Sequence, residues 1–163
     1  MAATTVSADP AVRALQDRMD VTDVLYRYAS TIDSFDHAGL RSVLADDLWA
    51  QYGNAEPVVG GDAVAGWIGE AIANVVWQHH LLSVYHVQVD GDAASALVYH
   101  TSHQVFEDDP NTAKLLVGRY HNELRRERDG WRISRLVLEI LWAEEKTDAA
   151  GYLALIGGRG PQA

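Results

Sequence analysis

The sequence predicts an α+β domain in which helices near the N-terminus pack against one curved antiparallel sheet. Three observations carry that reading. Helical spacing and helix caps are confined to residues before about 75. Strand-like runs fill most of the chain from Trp77 to Glu144. Tight-turn signals at Val89-Asp90-Gly91-Asp92 and Asp129-Gly130, rather than helical crossovers, join the strands. Helices first and strands after give an α+β fold, because a parallel sheet needs a crossover between strands. A sheet of this kind curls around its helices as a cone, and the wide mouth is a natural small-molecule pocket.

Asp9-Pro10 opens the first helix, since Asp accepts from free first-turn amides and Pro at the first helical position gives up no needed donor. Val12, Leu15, Met19, Val24, Leu25, Tyr28 and Ile32 recur near helical spacing and predict one long helix, its inner face ending around Asp33. Asp36 caps a short second helix from about His37 to Leu44, and Leu48 to Tyr52 reads as a brief strand stopped by Gly53-Asn54. Gly60-Gly61-Asp62 opens a third helix over about Ala63 to Asn74, with Val64, Trp67, Ile68, Ala71 and Ile72 as its apolar stripe. A long hairpin from Trp77 to Phe106 follows, then a loop at Glu107 to Thr112, then strands over Lys114 to Arg128 and Trp131 to Glu144. Trp131 directly follows a turn and is expected to plug the narrow end of the cone. Residues 1–8 read as a loose lead-in, 9–156 as one domain and 157–163 as a Gly-rich flexible tail.

With 163 residues and 48% hydrophobic content, the chain supports one real core and does not need two. Its 13 basic and 23 acidic residues, a net charge of −10, exclude a nucleic-acid backbone binder, which depends on clustered Lys and Arg. The absence of cysteine excludes disulfides, thiolate metal sites and a cysteine nucleophile. No apolar run reaches about 18 residues, so no membrane span is expected; without a signal-peptide layout, the expected location is the cytoplasm. Leu136, Leu138, Ile140 and Trp142 alternate with Val137, Glu139 and Leu141. Both faces of the last strand are therefore partly apolar, and a homodimer or homotrimer is expected.

The chemistry-bearing residues gather at the open end of the hairpin. One arm opens with Gln78-His79-His80 and the other ends at His100-Thr101-Ser102-His103-Gln104, so a turn near Gly91 brings the two histidine groups together. Strand side chains alternate. Only one of His79 and His80, and one of His100 and His103, can therefore face inward unless a bulge shifts the register. Asp33, ending the inner face of the long helix, is the carboxylate expected to meet them. A carboxylate that orients an imidazole makes a general base near neutral pH, whereas a purely structural Asp here would cap the next turn. On the strand from Lys114, Leu115, Val117, Arg119, His121 and Glu123 share one face, which either lines the pocket or meets solvent. In the first case Arg119 is an anion or carbonyl clamp. Asp33, His79 and His103 would suit iron or zinc by type. No HxH or HExxH spacing supports that set, and neither metal nor other cofactor is expected.

Tyr28-Ala29-Ser30-Thr31-Ile32-Asp33-Ser34-Phe35-Asp36, Gln78-His79-His80, Val89-Asp90-Gly91-Asp92-Ala93, His103-Gln104 and Asp129-Gly130-Trp131-Arg132-Ile133 together resemble the SnoaL-like branch of the NTF2-like superfamily. The resemblance spans roughly residues 12–144, and its spacing is most similar to the scytalone dehydratase type of lyase. It implies a cone-shaped fold whose pocket pairs a histidine with an aspartate. It further implies a cofactor-free, dehydratase-like lyase or isomerase acting on a small, largely apolar carbonyl compound such as a polyketide, steroid or aromatic intermediate. A polyketide cyclase, a ketosteroid-isomerase-like enzyme and a non-catalytic ligand-binding or assembly module are the alternatives on the same scaffold. Residue by residue, the resemblance implies Asp33 as the aspartate, His79 and His103 as the histidines, and Tyr52 as a tyrosine polarising a substrate oxygen through water. Arg119, His121, Ile32 and Trp67 are the expected substrate-binding residues.

Overall fold

The computed structural model describes residues 9–147, so the lead-in at 1–8, the tail at 157–163 and the domain end at 156 lie outside the described residues. The elements run α1 (Pro10–Asp33), α2 (His37–Ser42), β1 (Leu44–Tyr52), β2 (Val58–Val59), α3 (Gly61–Ala71), β3 (Val75–Asp90), β4 (Ala93–Phe106), β5 (Asp109–Glu127) and β6 (Gly130–Thr147). Six strands form one curved sheet in the order β2-β1-β6-β5-β4-β3. Neighbours are antiparallel except β1 and β6, which run parallel. The α+β architecture expected from the order of elements is the one observed. Among the described residues no helix is long and apolar enough to cross a membrane.

The Asp9 carboxylate accepts from the Ala11 amide at 2.9 Å and starts α1, as its position before Pro10 requires. The buried face of α1 is Val21, Val24, Leu25, Tyr28, Ala29 and Ile32. Val12, Leu15 and Met19 keep the apolar spacing but are 48%, 62% and 69% exposed. The helix is about 36 Å long; the Val12, Leu15 and Met19 side faces solvent, while Asp17 of the same turns bridges Arg126 on β5 at 2.8 Å. At the other end Phe35 takes a left-handed φ of 56°, and Asp36 accepts from the Gly39 amide at 2.8 Å to start α2. This sharp corner leaves Asp33 as the last helical residue, pointing toward β3.

Three boundaries differ from the sequence reading. Helix α2 ends at Ser42, so Leu44 already belongs to β1, which pairs with β6 from Leu44 onward. Helix α3 starts at Gly61 and stops at Ala71. The expected loop at Glu107 to Thr112 is a tight turn, with Phe106 facing Asp109 and β5 already running through Pro110. Trp131 is 4% exposed and packs in the core, with the Arg126 guanidinium 4.4 Å from its ring centre.

The β3–β4 hairpin decides which histidines face the helices. Asp90 pairs with Ala93 around Gly91, whose φ of 59° suits the turn. Val87 and Val89 lie on the helix side, opposite Ala96 and Ala94. Beyond them the pairing slips by one residue at Tyr85, between Val84–Val98 and His86–Leu97. A bulge of one residue exchanges the two faces of everything that follows on the bulged strand.

Candidate active site

Because of that bulge the inward residues of β3 are Val84, Leu82, His80 and Gln78. An uninterrupted strand would have turned His79 inward instead. His80 is opposite Ser102, and His79 is opposite His103, so the expected meeting of the two histidine groups does occur. His79 and His103, however, form their pair on the outer face. Strand β4 has no bulge along this stretch. His100 therefore shares the inner face with the buried Ala94, Ala96, Val98 and Ser102, and only 3% of it is exposed.

Asp33 meets His80. One carboxylate oxygen lies 2.5 Å from His80 Nδ1 and the other accepts the His80 backbone amide at 2.9 Å. Burial alone would push the Asp33 carboxyl up, but these two hydrogen bonds and the imidazole charge outweigh it and hold the group below its ordinary range. An ionised carboxylate only accepts, so Nδ1 of a neutral His80 carries the proton and Nε2 is left as a free base. Gln78, two residues earlier on the same face, donates to the Ile32 carbonyl at 2.6 Å and accepts from Gln104 at 3.2 Å. It fastens the end of α1 to β3 and sets the Asp33–His80 distance. Gln78→Ala is expected to lower activity about tenfold or more with a small stability change, because a displacement of about 1 Å near reacting groups is costly; equal activity would remove Gln78 from the positioning role.

His100 stacks on His80, with ring centres 5.3 Å apart, and packs against Tyr120 at 5.0 Å. Neither ring nitrogen has a hydrogen-bond partner within the described residues, and Oδ1 of the buried Asn122 is also unpaired. Burial, helped by the neighbouring His80 charge, pushes His100 down to about 4, so it is neutral at physiological pH. Unpaired buried polar atoms are costly, and here they converge beside a base on the inner face of the sheet. Tyr28 and Tyr52 share a hydroxyl–hydroxyl hydrogen bond of 2.9 Å, and Tyr28 meets Tyr120 edge-to-face at 5.8 Å. Burial raises all three phenols above their ordinary range, so they stay neutral donors.

His100 also gives the pH dependence of stability a sign. Its folded-state value lies below the ordinary 6.5, so its contribution is complete above about 6.5 and is lost as pH falls toward about 4. The depressed Asp33 carboxyl acts lower, losing its contribution as pH drops below its ordinary 3.8. The urea midpoint is therefore expected to fall between pH 6.5 and 4 more steeply in the wild type than in His100→Gln, and parallel slopes would contradict the placement of His100.

Of the residues expected at the site, Asp33 and Tyr52 are there, and Trp67 stacks on Tyr52 at 4.7 Å from α3. Ile32 is core, contributing only the carbonyl that holds Gln78. His79 and His103 are corrected to His80 and His100 because of the bulge and the alternation of β4. The metal set Asp33, His79 and His103 therefore does not converge. Arg119 and His121 are corrected to the outer face: both bond Glu139, at 2.8–2.9 Å and 3.1 Å, while the alternating Tyr120, Asn122 and Leu124 face inward. Tyr28, Tyr120, Asn122 and Gln78 were not foreseen. The alternation Tyr120, Asn122, Leu124 against Arg119, His121, Glu123 carried the signal for two of them.

Comparison with known proteins places this geometry. A SnoaL-like domain matches residues 13–137. An uncharacterized protein of Mycobacterium tuberculosis is 29% identical over 127 residues, covering 77% of this chain and 86% of that protein. A candidate aromatic ring hydroxylase of Novosphingobium aromaticivorans superposes with a TM-score of 0.74 at 26% identity, over 81% of this chain and 94% of that one. Two further structures share the fold at lower identity. A candidate scytalone dehydratase of Novosphingobium aromaticivorans has a TM-score of 0.76 at 14% identity, covering 83% and 91% of the two chains. A hexachlorocyclohexane dehydrochlorinase has 0.77 at 15%, covering 84% and 93%. With the family match over most of its length and an NTF2-like curved sheet around its helices, the chain belongs to the SnoaL-like family.

Proposed function

We propose that this protein is a lyase or isomerase that moves a proton at a carbon next to a carbonyl, in a small and largely apolar substrate. The observation that carries the reading is the half-buried Asp33–His80 pair beside the neutral, unpartnered His100. His80 Nε2 takes the proton from the α-carbon, and the C–H electrons move into the carbonyl to give an enolate. Asp33 stabilises the imidazolium that forms. The enolate oxygen is met by an N–H of His100 and by phenol donors of the Tyr28, Tyr52 and Tyr120 cluster, fixed dipoles in a site shielded from water. In a dehydration the enolate re-forms the carbonyl, the β-carbon–oxygen bond breaks, and the departing hydroxide takes the proton from His80 to leave as water. In an isomerisation the same proton returns at another carbon.

None of the buried inward residues of β3, β4 and β5 beside His80 and His100 is Lys or Arg, which fits an uncharged ligand such as a polyketide, steroid or aromatic intermediate. Incubation with a panel of ring ketones in D2O, read by NMR, is expected to show enzyme-dependent deuterium uptake at the α-carbon of at least one compound. The buried Tyr28 and Tyr120, interlocked with the half-buried Tyr52, also favour a second reading, a binding module with little room for turnover. Ligands that raise the melting temperature without any α-carbon exchange would select it.

A further inference from the structure

The bulge in β3 is occupied by a side chain that holds it open. Tyr85 is left without a partner between the Val84–Val98 and His86–Leu97 pairs. Its ring lies on the outer face of the sheet, 58% exposed, with its centre 4.7 Å from that of Tyr99 on β4. The Arg119 guanidinium on β5 sits 5.8 Å from the centre of the Tyr99 ring, and both carboxylate oxygens of Glu139 on β6 accept from it, at 2.8 and 2.9 Å. A row of side chains thus crosses β6, β5 and β4 and ends on the bulge.

We infer that Tyr85 is a positioning residue that sets the register of β3 and so presents His80, rather than His79, to Asp33. Strand β3 is an edge of the sheet, with β4 as its one strand neighbour, so no strand on its far side fixes the pairing. In an unbulged register Tyr85 would stand opposite Val98 on the inner face, Ser83 opposite His100, and His79 would turn inward. Tyr85 opposes that register twice. Outside, it would give up its aromatic pair with Tyr99. Inside, a phenol ring would have to enter a layer closed by Val98 and Tyr120, which are 1% and 5% exposed, and would overpack it. Gln78 and His80 hold the same register from the other end of the strand, through Ile32 and Asp33. Both causes are cross-strand, so they leave no mark in the local sequence. The consequence for turnover rests on His80 being the base; the register itself does not.

Diethyl pyrocarbonate acylates accessible neutral imidazoles, and tandem mass spectrometry separates adjacent histidines. In the wild type, His79 is exposed and is expected to react well ahead of His80, whose side chain is 8% exposed. Tyr85→Ala removes the outer stack and leaves a side chain small enough to turn inward. The His79-to-His80 labelling ratio should therefore fall severalfold, and α-carbon exchange should fall with it. Tyr85→Phe keeps the size and the stacking and should label as the wild type does. Deleting Tyr85 is the sharper test, because Val84 and His86 then follow one another in an unbulged strand whose faces already alternate correctly. The deletion should keep the wild-type ratio, whereas a tyrosine with only a packing role would make it worse than Tyr85→Ala. If Tyr85→Ala does not fold, Tyr99→Ala removes the same stack and should move the ratio in the same direction. An unchanged ratio in the folded alanine variant, or a deletion that shifts the ratio as far as Tyr85→Ala, would overturn the assignment. A shifted ratio with unchanged α-carbon exchange would uphold the register assignment and remove His80 as the base.

Discussion

Replacing Asp33 by Asn is expected to lower turnover by about 10²–10⁴-fold while the fold persists. The range is that of a positioned acid–base group. The amide oxygen of Asn can still accept the His80 backbone amide that Asp33 accepts at 2.9 Å. What disappears is the negative charge at 2.5 Å from Nδ1, which fixes the tautomer and stabilises the imidazolium. His80→Gln should lose a similar amount. The two side chains act as one unit, so the double variant should be little worse than either single one. Asp33→Asn should cost stability by no more than about 1–3 kcal/mol, the scale of one hydrogen bond to a charged group. A larger loss, with the single effects on melting temperature adding in the double variant, would assign the pair to structure rather than chemistry.

The second large effect is on stability. Trp131→Ala is expected to cost about 3–5 kcal/mol, read as a lower urea midpoint with an unchanged denaturant slope. The indole is 4% exposed, and its loss opens a cavity where β6 begins. It also strips the surface on which Arg126 rests while Arg126 bridges Asp17 at 2.8 Å and Asp92 at 2.9 Å. Those contacts tie α1 and the β3–β4 turn to β5, so the damage should spread beyond the ring. A shift under about 1 kcal/mol would mean that neighbouring side chains collapse into the space.

The fold was readable because its signals are local and strong. Asp9-Pro10 and the turns at Gly91 and Gly130 each have one physical interpretation, and all are observed; the long antiparallel strands follow the helices, with only β1 and β2 placed before α3. Asp33 was readable for the same reason, being the last residue on a continuous helical face. The histidines were not. His79 and His80 are neighbours on a strand, and the choice between them depends on whether the strand is bulged. Nothing in Val84-Tyr85-His86 announces a bulge, because none of these residues is Gly or carries a turn preference. On β4 the alternation could be counted from Ala94, Ala96 and Val98 to His100, but the opposite face holds Leu97, Tyr99 and Thr101, apolar enough to blur the choice. Strand β5 gave the clearest contrast. Arg119, His121 and Glu123 mark an outer face, and taking them so places Tyr120 and Asn122 inside.

The most direct measurement compares deuterium uptake at the α-carbon of a turned-over ketone in the wild type, His79→Gln and His80→Gln. If Asp33 and His80 form the acid–base pair, His79→Gln should stay within about twofold of the wild type, as an exposed group on the opposite face of the strand would. His80→Gln should fall by about 10²-fold or more. Equal rates in all three proteins, or a loss confined to His79→Gln, would contradict it.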